Sequence, residues 1–420
     1  MRKVLAMTGE FQFGRSKLNI LVFGLLLVST AQAATTYTVL HHFGSGQDGA
    51  SPLATLTPDA FGNFYGTTGV GGADRLGTVF ELIPSPGGTW TQTIIHSFTH
   101  NDGDGPEAGV VFDSQGNLYG ATTGGGPTDL GTVYQLSPDG QVWTLTIVYE
   151  YGALVDVTLD GAGKLYAPTG TGAYDNGAVG ELSPSPSGWT YNALYSFCAQ
   201  PNCSDGSTPS ATFVFDARGN LYGTTLYGGN RPPTCKVDSE GCGVVFELTP
   251  NRDGTWSYHL IHAFASFAND AEVALGSLLV DRNGSLYGTA PLGGSNYNSG
   301  MVFKFTPSTT GTAWKESAVY TFPDCTQGCG PYNGVVSDKA GNLYGTTAGG
   351  TPACGGFSCG IVYRLSPQRN GKWKYTKLHE FSGPDGMFPN PVIVGPDGNI
   401  YGTTQAGGKY NLGVAFEISP

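Results

Sequence analysis

Gly62-Asn63-Phe64-Tyr65-Gly66-Thr67-Thr68 is the stretch that decides the fold, because it comes back. It returns as Gly116-Asn117-Leu118-Tyr119-Gly120 and as Gly219-Asn220-Leu221-Tyr222-Gly223-Thr224-Thr225. Further copies of its tyrosine stand at Tyr166, Tyr287, Tyr344 and Tyr401, so the seven tyrosines are 54, 47, 56, 65, 57 and 57 residues apart. Self-similarity at such a period fixes the architecture before any local reading does.

Each unit reads as four short strands. The first is an apolar run ending in a turn, as at 211–216, and is expected innermost and buried on both faces. The second is the Leu-Tyr-Gly-Thr-Thr segment. The third is Gly77-Thr78-Val79-Phe80-Glu81-Leu82 and its relatives at 243–248 and 360–365. The fourth runs from a tryptophan to an aromatic, at 90–98, 143–151, 189–197, 256–264, 314–322 and 373–381. Short strands punctuated by turn residues, in a chain with 66 Gly and 26 Pro, point to an all-β protein.

Seven units of four antiparallel strands predict a seven-bladed β-propeller, within the roughly 4–8 blades of that architecture. The last copy of strand three, at 413–418, has no fourth strand after it; a matching strand occurs instead at 37–43. The N-terminal strand is therefore expected to complete the last blade and close the ring. An Asp-x-x-Gly-Asn turn joins strands one and two, and glycine holds its place in all seven units (62, 116, 163, 219, 284, 341, 398). Glycine is the residue that takes positive φ there without strain. One carboxylate per turn is too few oxygens for calcium, so the turn reads as structural.

The turn and strand, followed by Gly-Gly, a spacer and Gly-Thr-Val-Phe-Glu-Leu-x-Pro, resemble the Gloeo-Verruco tandem repeat of exported bacterial proteins. The likeness covers residues 37–420 and is weakest at Tyr166-Ala167-Pro168. The resemblance implies export and a repeat scaffold, and it brings no catalytic residues with it. The C-terminal sorting anchor that the family often carries is not found after the last repeat.

Four basic residues, an apolar run at 18–28 and Ala31-Gln32-Ala33 read as a secretory signal occupying 1–33, ahead of a single propeller domain at 34–420. The apolar run is shorter than the about 20 residues of a spanning helix. The exported chain would carry 16 Lys and Arg against 31 Asp and Glu, a formal charge of −15. That argues against nucleic acid. A soluble monomer is expected, secreted to the periplasm or beyond, with no cofactor and no metal.

Antiparallel order sends the loops between strands two and three, and between strand four and the next strand one, to the same face. They are long and variable, and they hold all eight cysteines: Cys198, Cys203, Cys235, Cys242, Cys325, Cys329, Cys354 and Cys359. An even count in an exported chain reads as disulfides, between sequence neighbours or crossed between loops of one unit. Asp48, Asp102, Asp104, Asp205 and Asp385 lie on these loops, each followed by a glycine. They are either a carboxylate-lined mouth for a ligand or simply turn formers. His41, His96, His262 and His379 share one column near the end of strand four with Tyr149, Tyr195 and Tyr320. Such alternation reads as packing, because the rings belong to different blades.

Three functions compete. The first is a binding scaffold for a glycan or an extracellular protein, and it fits variable loops on a rigid frame. The second is a carbohydrate-active enzyme. The third is a surface protein without a ligand. Only Arg75 and Arg231 lie on the variable loops, too few for a sialidase's carboxylate clamp, and no nucleophile with a matching base stands out. The binding scaffold is the expectation, with no catalysis.

Overall fold

Strand pairing follows the repeat. The computed structural model describes residues 35–420 except 45, 141, 151–155, 230–234, 236–240, 266–269, 295–298, 309–312, 353 and 355–357. The signal segment, Arg231 and the short connection at 151–155 lie outside the described residues. Thr35–Pro420 forms one compact unit. In blade 1, Thr57–Pro58, Phe64–Thr68, Thr78–Ser85 and Thr89–Ser97 pair in that order, antiparallel throughout. Six further sheets repeat it, giving a seven-bladed β-propeller. Thr36–His42 pairs with Val414–Ser419, with Tyr37 opposite Ile418 and His42 opposite Val414, so the first strand completes blade 7 and closes the ring. Closure leaves no open sheet edge between the first and last blades.

The innermost strands differ from expectation. The regular strand is two residues long in each blade, as at Val111–Phe112 and Thr158–Leu159, and is half-buried. The residue just before it is the buried one: Leu56, Val110, Val157, Phe213, Leu278, Val335 and Val392. Blades 4 and 7 also gain a short strand, Ser207–Pro209 and Met387–Pro389, that pairs with the far end of strand two.

The repeated turn works as a clamp. In blade 1 the Asp59 Oδ1 accepts from Phe61 N (2.8 Å) and Asn63 N (2.9 Å), while Oδ2 accepts from Asn63 Nδ2 (2.8 Å). The repeat tyrosine then reaches the same carboxylate: Tyr119 to Asp113 at 3.1 Å, Tyr222 to Asp216 at 3.2 Å, Tyr401 to Asp397 at 2.8 Å. Burial first, then Asp113, pushes the Tyr119 hydroxyl up to about 12, so it remains a donor. All seven turn glycines have φ between 76° and 89°.

The glycine after that tyrosine has a different cause. Gly66 faces Phe80 across the pair, Gly223 faces Phe246 and Gly402 faces Phe416. The ring occupies the space over the glycine, and a Cβ on Gly223 would stand 2.7 Å from Phe246 and 2.8 Å from Phe213. Blade 3 reverses the sizes: Ala167 faces Gly180, and the Tyr191 ring fills the space over Gly180. The divergence seen in its sequence is thus a paired exchange.

The core lies between blades. Among the described residues the buried clusters are seven, one per seam; Tyr65, Val79, Val110, Leu118, Tyr134 and Leu136 fill the seam between blades 1 and 2. Each fourth strand carries an extra residue where its register slips against strand three, at Ile95 in blade 1 and at the matching place in all seven blades. A one-residue insertion reverses which face the following side chain points to. It turns the His/Tyr column toward the next blade.

Gly223→Ala is expected to destabilise the protein by about 1–3 kcal/mol through overpacking against two rings. Thermal or denaturant unfolding checks it, and an unchanged midpoint would refute the ring-over-glycine account.

Candidate functional site

The long loops come together on one face, as the antiparallel order requires. All four disulfides lie there and join sequence neighbours: Cys198–Cys203, Cys235–Cys242, Cys325–Cys329 and Cys354–Cys359. The alternative of crossed pairing within a unit is not the one formed. Four disulfides fit an oxidising compartment.

A proline latches five of the loops to the preceding blade. Pro106, Pro209, Pro331, Pro389 and Pro52 pack on Gly77, Gly177, Gly300, Gly360 and Gly413, the glycines that open strand three of the preceding blade. The residue before the latch takes a left-handed backbone even where it is not glycine: Ser51 (φ 51°), Thr208 (57°) and Phe388 (56°). Asn333 Nδ2 donates to the Pro389 carbonyl (3.0 Å) and Asn390 Nδ2 to the Pro52 carbonyl (2.7 Å), which ties three successive loops together.

The aspartates singled out from the sequence are placed one loop at a time. His41 Nε2 meets Asp48 at 3.1 Å, His96 meets Asp102 at 3.1 Å, and His379 meets Asp385 at 2.9 Å; Tyr195 donates to Asp205 at 2.7 Å. The other carboxylate oxygen caps the same loop, taking Thr99 N for Asp102 and Ser382 N for Asp385 (2.8 Å each). These four side chains fasten separate loops to their own fourth strands, and Asp205 is buried. Asp104 differs: its backbone pairs with Gly124, and its half-buried carboxylate has no hydrogen bond among the described residues. Burial raises the Asp385 carboxyl, but the His379 ring and the Ser382 N–H and hydroxyl outweigh it and hold it at about 2.

The column meets the next blade at the second residue after the tryptophan. Tyr149 stacks on Tyr191 (5.2 Å between centroids), Tyr195 on Tyr258 (4.5 Å), Tyr320 on Tyr375 (5.0 Å) and His379 on Tyr37 (3.8 Å). Tyr37, Tyr258 and Tyr375 also donate to loop carbonyls of the preceding blade. Between blades 4 and 5 that partner is Glu316. His262 Nε2 lies 3.0 Å from Asp270 Oδ2 and 3.3 Å from Glu316 Oε2, so a histidine and two carboxylates share one seam. Burial, then the charge of Asp270, pushes the Glu316 carboxyl up to about 7. Sequence reasoning set the column aside because its rings sit in different blades. It missed that a carboxylate from the next blade reaches one of them; the signal was Glu316 standing where other units have Tyr, Gln or Leu.

The Gloeobacter/Verrucomicrobia repeat matches residues 24–159, 153–322 and 274–420. The chain belongs to that family. No curated protein matches the chain. Among solved structures, a luciferin-regenerating enzyme is similar at 14% identity, over 74% of this chain and 91% of that one, with a TM-score of 0.44.

Two outcomes are expected. Non-reducing peptide mapping should recover the four neighbour disulfides; eight free thiols in native protein would remove the oxidising-compartment argument. Asp385→Asn should cost about 1 kcal/mol at pH 7, because a depressed carboxyl stabilises the fold above its ordinary range and solvent screens part of the gain. That contribution is lost as pH falls from about 4 toward about 2, so the gap between wild type and variant should close over that window. A gap that stays constant in pH-dependent unfolding would contradict the His379–Asp385 assignment.

Proposed function

We propose that this protein is an exported binding propeller and that the long-loop face is its recognition surface. The observation that carries this is where apolar side chains are exposed. Ten large ones stand exposed among the described residues, and six of them, Val70, Leu130, Tyr174, Tyr332, Phe388 and Tyr410, are on the long loops. Phe61 and Val142 are at the short turns. Exposed aromatics on a rigid frame are the usual anchors of binding surfaces.

Backbone strain points the same way. All twelve non-glycine residues with positive φ among the described residues belong to the long loops, including the β-branched Thr208 and Val273. Strained backbone gathers at functional sites because the surrounding structure must hold it there. Latches, disulfides and His–Asp pairs supply that hold, and a preordered loop loses less entropy on binding. Tyr332 and Phe388 flank the Asn333–Pro389 bond between neighbouring loops, so they present two rings on one braced segment. Flat aromatic faces, an acidic surface and few cations favour a neutral glycan, with an extracellular protein as the other partner class.

The test is a glycan and protein-partner screen, with hits repeated on Tyr332→Ala, Phe388→Ala and Asp104→Asn. Loop-face variants should weaken a specific hit at least about tenfold, and Phe61→Ala on the turn face should not. A hit abolished by Phe61→Ala alone puts recognition on the other face. Turnover of a screened glycan would replace the binder with an enzyme.

A further inference from the structure

We propose that His262, Asp270 and Glu316 form a binding site for one divalent transition-metal cation in the seam between blades 4 and 5. The site is independent of the glycan reading. The three side chains come from three separate elements: strand Trp256–Ala263, the loop after it, and strand Trp314–Thr321 of the next blade. Their ligand atoms all lie within 4.8 Å of one another. A tetrahedral ion with N and O ligands at about 2.0–2.1 Å keeps neighbouring ligand atoms about 3.3 Å apart. The two His262 distances, 3.0 and 3.3 Å, are already near that edge length.

The other seams show why this one is different. His41, His96 and His379 each face a single loop aspartate, and the position matching Glu316 is neutral there: Gln92, Leu145 and Tyr37. One imidazole against one carboxylate is charge-balanced when the ring is protonated. Between blades 4 and 5 a second carboxylate enters beside the same imidazole. The Asp270 and Glu316 side chains are only 1% and 11% exposed, so water does little to screen them. Buried charges need a counter-charge or a metal.

A second observation bears on the glutamate alone. Among the described residues Glu316 Oε2 is buried and accepts no hydrogen bond, although His262 Nε2 lies 3.3 Å away. One ring nitrogen carries at most one proton and cannot direct it at both carboxylates. A cation has no such limit, and it would be bonded by all three atoms at once. Phe264 and Phe305 hold the His262 ring at centroid distances of 5.5 and 5.2 Å, which fixes the donor before any ion arrives. One imidazole with two carboxylates suits Zn²⁺, Mn²⁺ or Fe²⁺; Ca²⁺ and Mg²⁺ prefer all-oxygen sets. Three protein ligands leave a fourth position for water or a ligand group.

The test is equilibrium dialysis of chelator-treated protein against Zn²⁺, Mn²⁺ and Ca²⁺, with metal counted per chain. One Zn²⁺ should bind, Mn²⁺ more weakly and Ca²⁺ weakest. Glu316→Gln should weaken Zn²⁺ at least about tenfold. Glu316→Tyr restores the residue that other seams use, so it should fold and melt like a propeller blade while losing the site. Asp102→Asn, at a seam with two ligands only, should bind as wild type does. No stoichiometric Zn²⁺ at about 100 µM, a level far weaker than any three-ligand site, would overturn the proposal. So would Glu316→Tyr binding like wild type, since the ion would then sit elsewhere on the surface.

Discussion

The extra residue in each fourth strand is the constraint on which this propeller depends. A β-strand shows alternate side chains to opposite faces, so without an insertion the column residue would point back at the blade before it. The bulge turns His96, Tyr195, His262 and their equivalents forward, where they meet the next blade's fourth strand. Packing of ring on ring, closure of the loop above by its acid, and the three-residue cluster between blades 4 and 5 all follow from that one reversal. Bulges are placed where a side chain must be re-aimed, and here every blade uses one.

The seams, not the sheets, hold the apolar core. Each blade has two unlike faces, one carrying Phe80 and Leu82 and the other Tyr65 and Val79, and each must fit the opposite face of a neighbour. A ring of such units is satisfied only when the last meets the first. Pairing of Tyr37 with Ile418 and stacking of Tyr37 on His379 accomplish that with one residue, which serves both the sheet and the seam. Blade 3 fits the same rule by other means: it exchanges Ala167 for Gly and Gly180 for an aromatic, and covers the gap with Tyr191.

The two faces of the molecule divide the work. The turn face repeats one turn built on an aspartate and a glycine, with the repeat tyrosine's hydroxyl on the aspartate in most blades, and it varies little. The loop face spends its charged residues on fastening. Asp48, Asp102, Asp205 and Asp385 hold loops in place, which leaves exposed rings such as Tyr332 and Phe388, and the half-buried Asp104, as the surface available to a partner. Left-handed backbone at Ser51, Thr208 and Phe388 survives because the following proline is locked against a glycine of the preceding blade.

The repeat by itself determined the blade count, the strand order, the closing strand, the turn glycines and the face on which the long loops gather. These depend on local patterns: alternation, turn chemistry and period are written within a few residues of one another. Neighbour disulfides were legible too, as the first choice over crossed pairs. Only the tertiary structure decided what the aspartates and histidines do. Asp102 and His96 are six residues apart on paper, yet their pairing depends on the bulge, which shows in the register and not in the composition. Glu316 and His262 belong to different blades, and a contact across a seam is set by which face each side chain takes. The period is written along the chain, whereas the seams are written between units, where a single change such as Tyr to Glu alters the chemistry without disturbing the fold.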